Sequence, residues 1–284
     1  MDCREKLLSA ATPLPVYACL FGALLLAPGK CVLAQQDSES LDKAAQNPIA
    51  DLISLPFQNN TTLNAGPKSQ TQNVLNIQPV YPIHLNPEWN LITRTTIPVV
   101  SQPDLGVLNA DRENGLGDIL FSAFFSPQKT TPSGWTWGVG PVLQAPSATD
   151  DALGQGKWGL GPTAVALRSQ KGSPWLYGVY IYNLWSVGGE SDRRSVNQMF
   201  LQPLVYYNFP QYPGRYLVYT PNITADWKAK GEQWTVPIGL GIGQRFKIGA
   251  QNVNAQAHAY YNVVRPDNVG NWTIRLQFQL LFPK

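Results

Sequence analysis

Residues 271–282 read N-W-T-I-R-L-Q-F-Q-L-L-F, and their alternation limits what the chain can become. Trp272, Ile274, Leu276, Phe278, Leu280 and Phe282 fall on one face, while Thr273, Arg275, Gln277 and Gln279 fall on the other. A period of two is the signature of a β-strand with one apolar and one polar side. In a soluble sandwich the polar side meets bulk water. In an outer-membrane barrel the apolar side meets lipid and the polar side lines the lumen.

Other stretches decide between the two. Twelve strand-like runs are expected, at 51–60, 73–83, 88–100, 117–126, 134–145, 157–169, 174–187, 196–209, 215–227, 232–248, 252–265 and 271–282. In the third, Trp89, Leu91, Ile97 and Val99 oppose Asn90, Arg94 and Thr96. In the tenth, Trp234, Ile238, Leu240 and Ile242 oppose Gly239, Gly241, Gly243, Arg245 and Lys247. In the eleventh, Ala255, Ala257, Ala259 and Tyr261 oppose Asn254, Gln256, His258, Tyr260 and Asn262. Nearly every charge within a strand sits on the polar side, as it must where Arg or Lys at the bilayer midplane costs about 2–4 kcal/mol. Arg168 is the exception, at a strand end where its stem can reach the interface. A soluble lipocalin-type barrel would reverse this distribution. Charged residues make up 14% of the chain, against about 25% in soluble domains. The 24 Gly and 24 Pro disfavour long helices. The expected fold is therefore all-β, a transmembrane antiparallel barrel.

The connections test this independently. The early ones at 61–72, 101–116, 146–156 and 188–195 are longer than those at 84–87, 127–133, 170–173, 210–214 and 249–251, while the later ones at 228–231 and 266–270 barely are. Long outer loops alternating with short periplasmic turns is the bacterial barrel pattern, and an even strand count puts both chain ends on the periplasmic side. Prolines 79, 98, 162, 203, 221 and 237 fall within the runs, where each removes a ladder donor and predicts a bulge or a break.

Residues 1–34 have the layout of a cleaved signal peptide: Arg4 and Lys6, an apolar run over 16–27, then Val32-Leu33-Ala34 before Gln35. All three cysteines, Cys3, Cys19 and Cys31, lie there, so the exported chain would form no disulfide. Residues 35–50 read as a polar periplasmic leader and 51–284 as the barrel.

The order of motifs resembles a bacterial outer-membrane transporter family, often mislabelled "neuromedin U" and related to the phenol meta-pathway degradation family. The residues that carry it are Gln78-Pro79-Val80, Trp89-Asn90-Leu91-Ile92-Thr93-Arg94-Thr95 and Gly115-Leu116-Gly117-Asp118. Gln202-Pro203, Trp234-Thr235-Val236-Pro237-Ile238-Gly239 and Tyr260-Tyr261-Asn262-Val263 continue it, and Leu281-Phe282-Pro283 closes the chain. The resemblance implies an outer-membrane barrel with a transport role and brings no catalytic set.

The side chains expected to line the lumen are Arg94, Asp118, Gln202, Asp226, Arg245, His258, Arg275 and Gln277. A salt-bridge network filling the barrel is one reading of them; a basic constriction passing small aromatic or anionic solutes is the other. A closed barrel with a structural or surface-interaction role is the alternative function. A membrane-face hydrolase is weaker, since neither His84 nor His258 has an evident nucleophile and no G-x-S-x-G occurs. No metal-ligand spacing is present, although Asp150-Asp151, or Asp104, Asp111 and Glu113, could hold Ca²⁺ weakly. No enzyme activity and no cofactor are expected. The expected partners are outer-membrane lipid, the barrel-assembly machinery and a small solute; a net charge of +3 with no basic cluster points away from nucleic acid.

Overall fold

Alternation in the sequence becomes a closed ladder. The computed structural model describes residues 35–106 and 112–283; the segment read as a signal peptide lies outside the described residues. Twelve barrel strands follow a helix, α1 (Gln35–Gln46). They are β1 (Ile53–Ala65), β2 (Gln70–Ile77 and Val80–His84), β3 (Trp89–Gln102), β4 (Glu113–Leu116 and Ile119–Pro127), β5 (Trp135–Ala145) and β6 (Lys157–Ser169). The rest are β7 (Trp175–Gly189), β8 (Asn197–Asn208), β9 (Arg215–Tyr219 and Ile223–Asp226), β10 (Trp234–Ile248), β11 (Gln251–Val264) and β12 (Trp272–Phe282). Each pairs antiparallel with the next. β1 closes the ring on β12, from Ile53↔Phe282 to Leu63↔Trp272. A closed ring leaves no edge with unpaired backbone groups, which hydrocarbon would penalise.

Three strands are interrupted, and two breaks fall at prolines: Gln78-Pro79 in β2 and Thr220-Pro221-Asn222 in β9. The third is Gly117-Asp118 in β4, where the Gly117 N–H donates to the Pro98 carbonyl at 2.9 Å. Pro237 marks a register shift in β10, and Pro162 and Pro203 keep their pairing with one neighbouring strand while the ladder to the other is interrupted, over 161–162 toward β7 and over 202–204 toward β9.

Three expectations need correction. The first long loop shrinks to 66–69, because β1 runs on to Ala65 and β2 begins at Gln70; Asn64 and Ser69 take the positive φ that so tight a connection needs. Residues 113–116, expected in a loop, pair with β3 (Val99↔Leu116 to Gln102↔Glu113). The polar leader is a helix. Leu41 and residues 43–46 are good helix formers, and Asn47-Pro48 stops it. The Asn47 side chain accepts from the Ile49 N–H at 2.9 Å to turn the chain toward β1.

The outer face is apolar, with Val139, Ile238, Leu240, Ile242 and Val263 exposed. Aromatic pairs band it at both ends. Trp89–Trp137, Trp135–Tyr177 and Trp175–Tyr207 lie near the short turns, and Trp227–Trp234 and Tyr261–Trp272 near the loops. Arg168 points outward in the turn-end band, donating to Tyr177 Oη at 3.0 Å and the Ser133 carbonyl at 3.0 Å. Two such girdles around an apolar belt suit a bilayer-spanning barrel.

The lumen is not uniformly polar. One wall, from β11, β12 and β1, carries Asn254, Gln256, His258, Arg275, Gln279 and Gln58, all buried. The other carries Ile92, Phe124, Val165, Leu167, Leu204 and Val218, a buried apolar cluster. Ile49, just after α1, is part of that cluster. Ala45 and Leu52 form a second one with Leu281 of β12. Asp42 pairs with Arg245, and Gln46 exchanges hydrogen bonds with Asn208 (2.7 and 3.2 Å). α1 thus caps the lumen from the turn end.

The inward glycines of β10 make room on this crowded face. A Cβ on Gly243 would lie 2.2 Å from Tyr216 Cζ, and one on Gly241 2.4 Å from His258 Nδ1. Gly243→Val is expected to expel the buried Tyr216 ring and break its 2.6 Å bond to Asn254 Oδ1. The cost should be about 3 kcal/mol or more, read as a lower urea midpoint for unfolding from lipid vesicles.

Candidate functional site

Two cavities occupy the axis of the barrel. At the loop end a vestibule of about 1140 Å³ is lined by Tyr182, Phe200, Arg193, Arg194, Asp226 and Lys230, among others. Toward the turn end a cavity of about 70 Å³ is lined by Gln58, Gln78, Arg94, Gln202, Gln256 and Gln277, with residues 44–48 and 50 beneath it. Tyr180 connects them. Its ring packs 5.7 Å from Tyr182 and 5.4 Å from Phe200, themselves stacked at 4.8 Å and 9°, and Arg94 Cζ lies 5.7 Å from its centroid. Inward positions on β7 and β8 therefore build an aromatic ladder from the vestibule down to a cation.

The eight residues named from sequence separate into groups. Arg94, Gln202 and Gln277 meet at the lower cavity. Arg94 donates to Gln78 Oε1 at 2.7 Å. Gln202 donates to Asn222 Oδ1 (2.7 Å) and to the Thr220 carbonyl (3.3 Å), while Gln277 accepts from Gln58 at 2.9 Å. Arg275 lies beside them, almost fully buried. It donates to Asn60 Oδ1 and to the Thr220 carbonyl, both at 2.8 Å, with its guanidinium 5.1 Å from the Tyr260 ring centroid. His258 has both ring nitrogens engaged, by Gln256 Oε1 at 2.9 Å and Tyr260 Oη at 2.8 Å.

The remaining three do other work. Arg245 holds α1 through Asp42. Asp118 fastens the loop 146–156, accepting from the Gln155 N–H (2.6 Å), the Ala148 N–H (3.2 Å) and Gln144 Nε2 (3.2 Å). Asp226 pairs with Arg194 at the vestibule. The lumen is thus not filled by a salt-bridge network. Among the described residues, no carboxylate pairs with Arg94 or Arg275. Nor do three His, Cys, Asp or Glu side chains come together to hold a metal ion. Asp104 instead caps the Gly106 N–H and pairs with Lys68, and Asp111 lies outside the described residues.

Sequence reasoning passed over Gln78, Asn60 and the α1 anchors Asp42, Gln46 and Ile49. Gln78 sits at a strand break, where face assignment by alternation loses its register. The α1 residues carried a weak helix signal that a barrel reading discards.

No protein-family model matches the sequence, and no curated protein does. Among solved structures, an outer-membrane channel from Pseudomonas putida F1 superposes with a TM-score of 0.61 at 16% identity, over 81% of this chain and 95% of that one. The fold is that of an outer-membrane β-barrel. Outer membrane phospholipase A from Escherichia coli aligns at a TM-score of 0.42 and 12% identity, over 82% of this chain and 90% of that one. At 16% identity the likeness to the Pseudomonas putida channel is one of fold.

Proposed function

We propose that this chain is an outer-membrane channel for small aromatic or anionic solutes, held closed by α1. Its apolar belt sits in lipid, its turns and α1 face the periplasm, and its loops face outward. The observation that carries this reading is how the lumen is blocked. The wall leaves a wide vestibule at one end, and at the other a short helix that is not part of the wall packs, with Ile49 just after it, against buried wall side chains such as Phe124, Leu204 and Tyr206. The Tyr182–Phe200 stack at the vestibule favours a planar, apolar group, and Arg94 below it favours negative charge.

A closed barrel with a structural or surface role is the second reading. The packing of Ile49 against Ile92, Phe124 and Leu204 favours it. The two guanidiniums left without a carboxylate count against it, because a lumen built only to be filled would pair them.

Planar-bilayer recording of the purified protein separates the two. A channel gives brief openings in the wild type and sustained conductance once α1 is unpinned. Silent membranes from both proteins, with the barrels inserted and folded, would remove the channel reading.

A further inference from the structure

We propose that the lower cavity is a binding site for a small carboxylate or similar oxyanion, anchored by Arg94. This deepens the channel reading and rests on it for the route by which the anion arrives.

The argument begins with donors that have no acceptor. A guanidinium carries five N–H groups. Arg94 makes one hydrogen bond among the described residues, to Gln78 Oε1. Because a guanidinium only donates, Gln78 must turn its oxygen to Arg94, which leaves its –NH₂ without a protein acceptor. Gln277 and Gln279 are placed alike: their oxygens accept from Gln58 (2.9 Å) and Asn254 (3.2 Å), and their –NH₂ groups have no protein acceptor. All three glutamines line the cavity.

Charge points the same way. No Asp or Glu lines the cavity. Arg275 adds a second cation next to it, bonded to the carbonyl of Thr220, itself a lining residue. Arg94 is half-buried at the cavity wall and Arg275 fully buried, and an anion held by the free Arg94 donors would supply the counter-charge that both lack. Orientation is fixed from behind, since the Tyr180 face and Gln78 hold the Arg94 fork in place. Size sets the class. About 70 Å³ is room for a few waters or one carboxylate head. A larger anion would place its head here and leave its body on the aromatic ladder.

Acetate is the probe. Equilibrium dialysis of labelled acetate against the purified barrel in detergent should show saturable binding, one acetate per barrel, displaced by formate. Arg94→Gln should weaken it about tenfold or more, the scale of a lost charge-assisted pair. Arg94→Lys should fall between the two, keeping charge and losing the fork. Arg168→Gln, on the outer face, should leave it unchanged. Heat-modifiable migration on gels reports which variants are folded. If Arg94→Gln does not fold, Gln78→Met serves in its place and should also weaken binding. Absence of saturable acetate in the wild type, or equal affinity in the Arg94 or Gln78 variants, would overturn the site. Flux of a neutral solute through barrels with α1 unpinned reads the channel separately. Flux without acetate binding sinks the site alone, and acetate binding without flux sinks the channel alone.

Discussion

Asp42→Arg should turn a closed barrel into one that conducts. The Asp42–Arg245 pair holds α1 to β10, and both side chains are only 11% exposed. Removing one partner of a buried pair costs about 3–5 kcal/mol, and a like charge in its place adds repulsion. Taking about 3 kcal/mol as the share that reaches the open–closed equilibrium, the open population rises roughly a hundredfold. The Gln46–Asn208 exchange and Ile49 in its apolar cluster remain, so Asp42→Asn should give a smaller rise and Asp42→Arg with Ile49→Asp a larger one. Single-channel open probability measures all three. An open probability in Asp42→Arg equal to that of the wild type would mean that α1 is not the obstruction.

Arg275→Ala should have a large effect on stability. β9 is broken at 220–222, where its backbone leaves the ladder and must be satisfied from the lumen. Arg275 and Gln202 both donate to the Thr220 carbonyl, and the Thr220 N–H meets Tyr260 Oη at 3.4 Å. Arg275 also ties Asn60 of β1 at 2.8 Å, so one side chain joins the closing seam to the broken strand. Two opposing effects compete. Each bond to a charged donor is worth about 1.5–3 kcal/mol, while deleting an unpaired buried cation relieves its desolvation. With two good bonds and an aromatic face, the bonds should win by about 2–4 kcal/mol. A lower urea midpoint in vesicles for both Arg275→Ala and Arg275→Met would establish this. A higher midpoint for Arg275→Met would show that charge burial dominates. Arg94→Gln should stay within about 1 kcal/mol of the wild type, because it breaks one bond at a cavity wall.

Strand identity was legible wherever one face meets lipid, because lipid tolerates so few side chains. Residues 271–282 and 252–265 read correctly face by face, and the strand at 51–60 proved to be the closing partner of β12. Two inward positions break the alternation for one reason. Leu281 occupies the polar side of the last strand, and Ile92 lies between Asn90 and Arg94 on the inner face of β3. Both are apolar where alternation asks for a polar residue, and both face partners supplied by residues 45–52. A helix that folds against a barrel wall owes its stability to that wall, so its own sequence carries little sign of it. The cavity was half legible. Inward polarity identified Arg94, Gln202 and Gln277, but which guanidinium would lack a counter-charge depended on contacts between strands far apart in sequence.

The link between α1 and β1 carries a last consequence. Residues 47–52 are all that separate them. Fully extended, so short a leash reaches about 20 Å at ~3.3–3.6 Å per residue. A released helix therefore stays at the mouth of its own barrel, at a local concentration on the millimolar scale. Reclosure is then a first-order event, indifferent to dilution and to how many barrels share the membrane, and each barrel should flicker on its own clock.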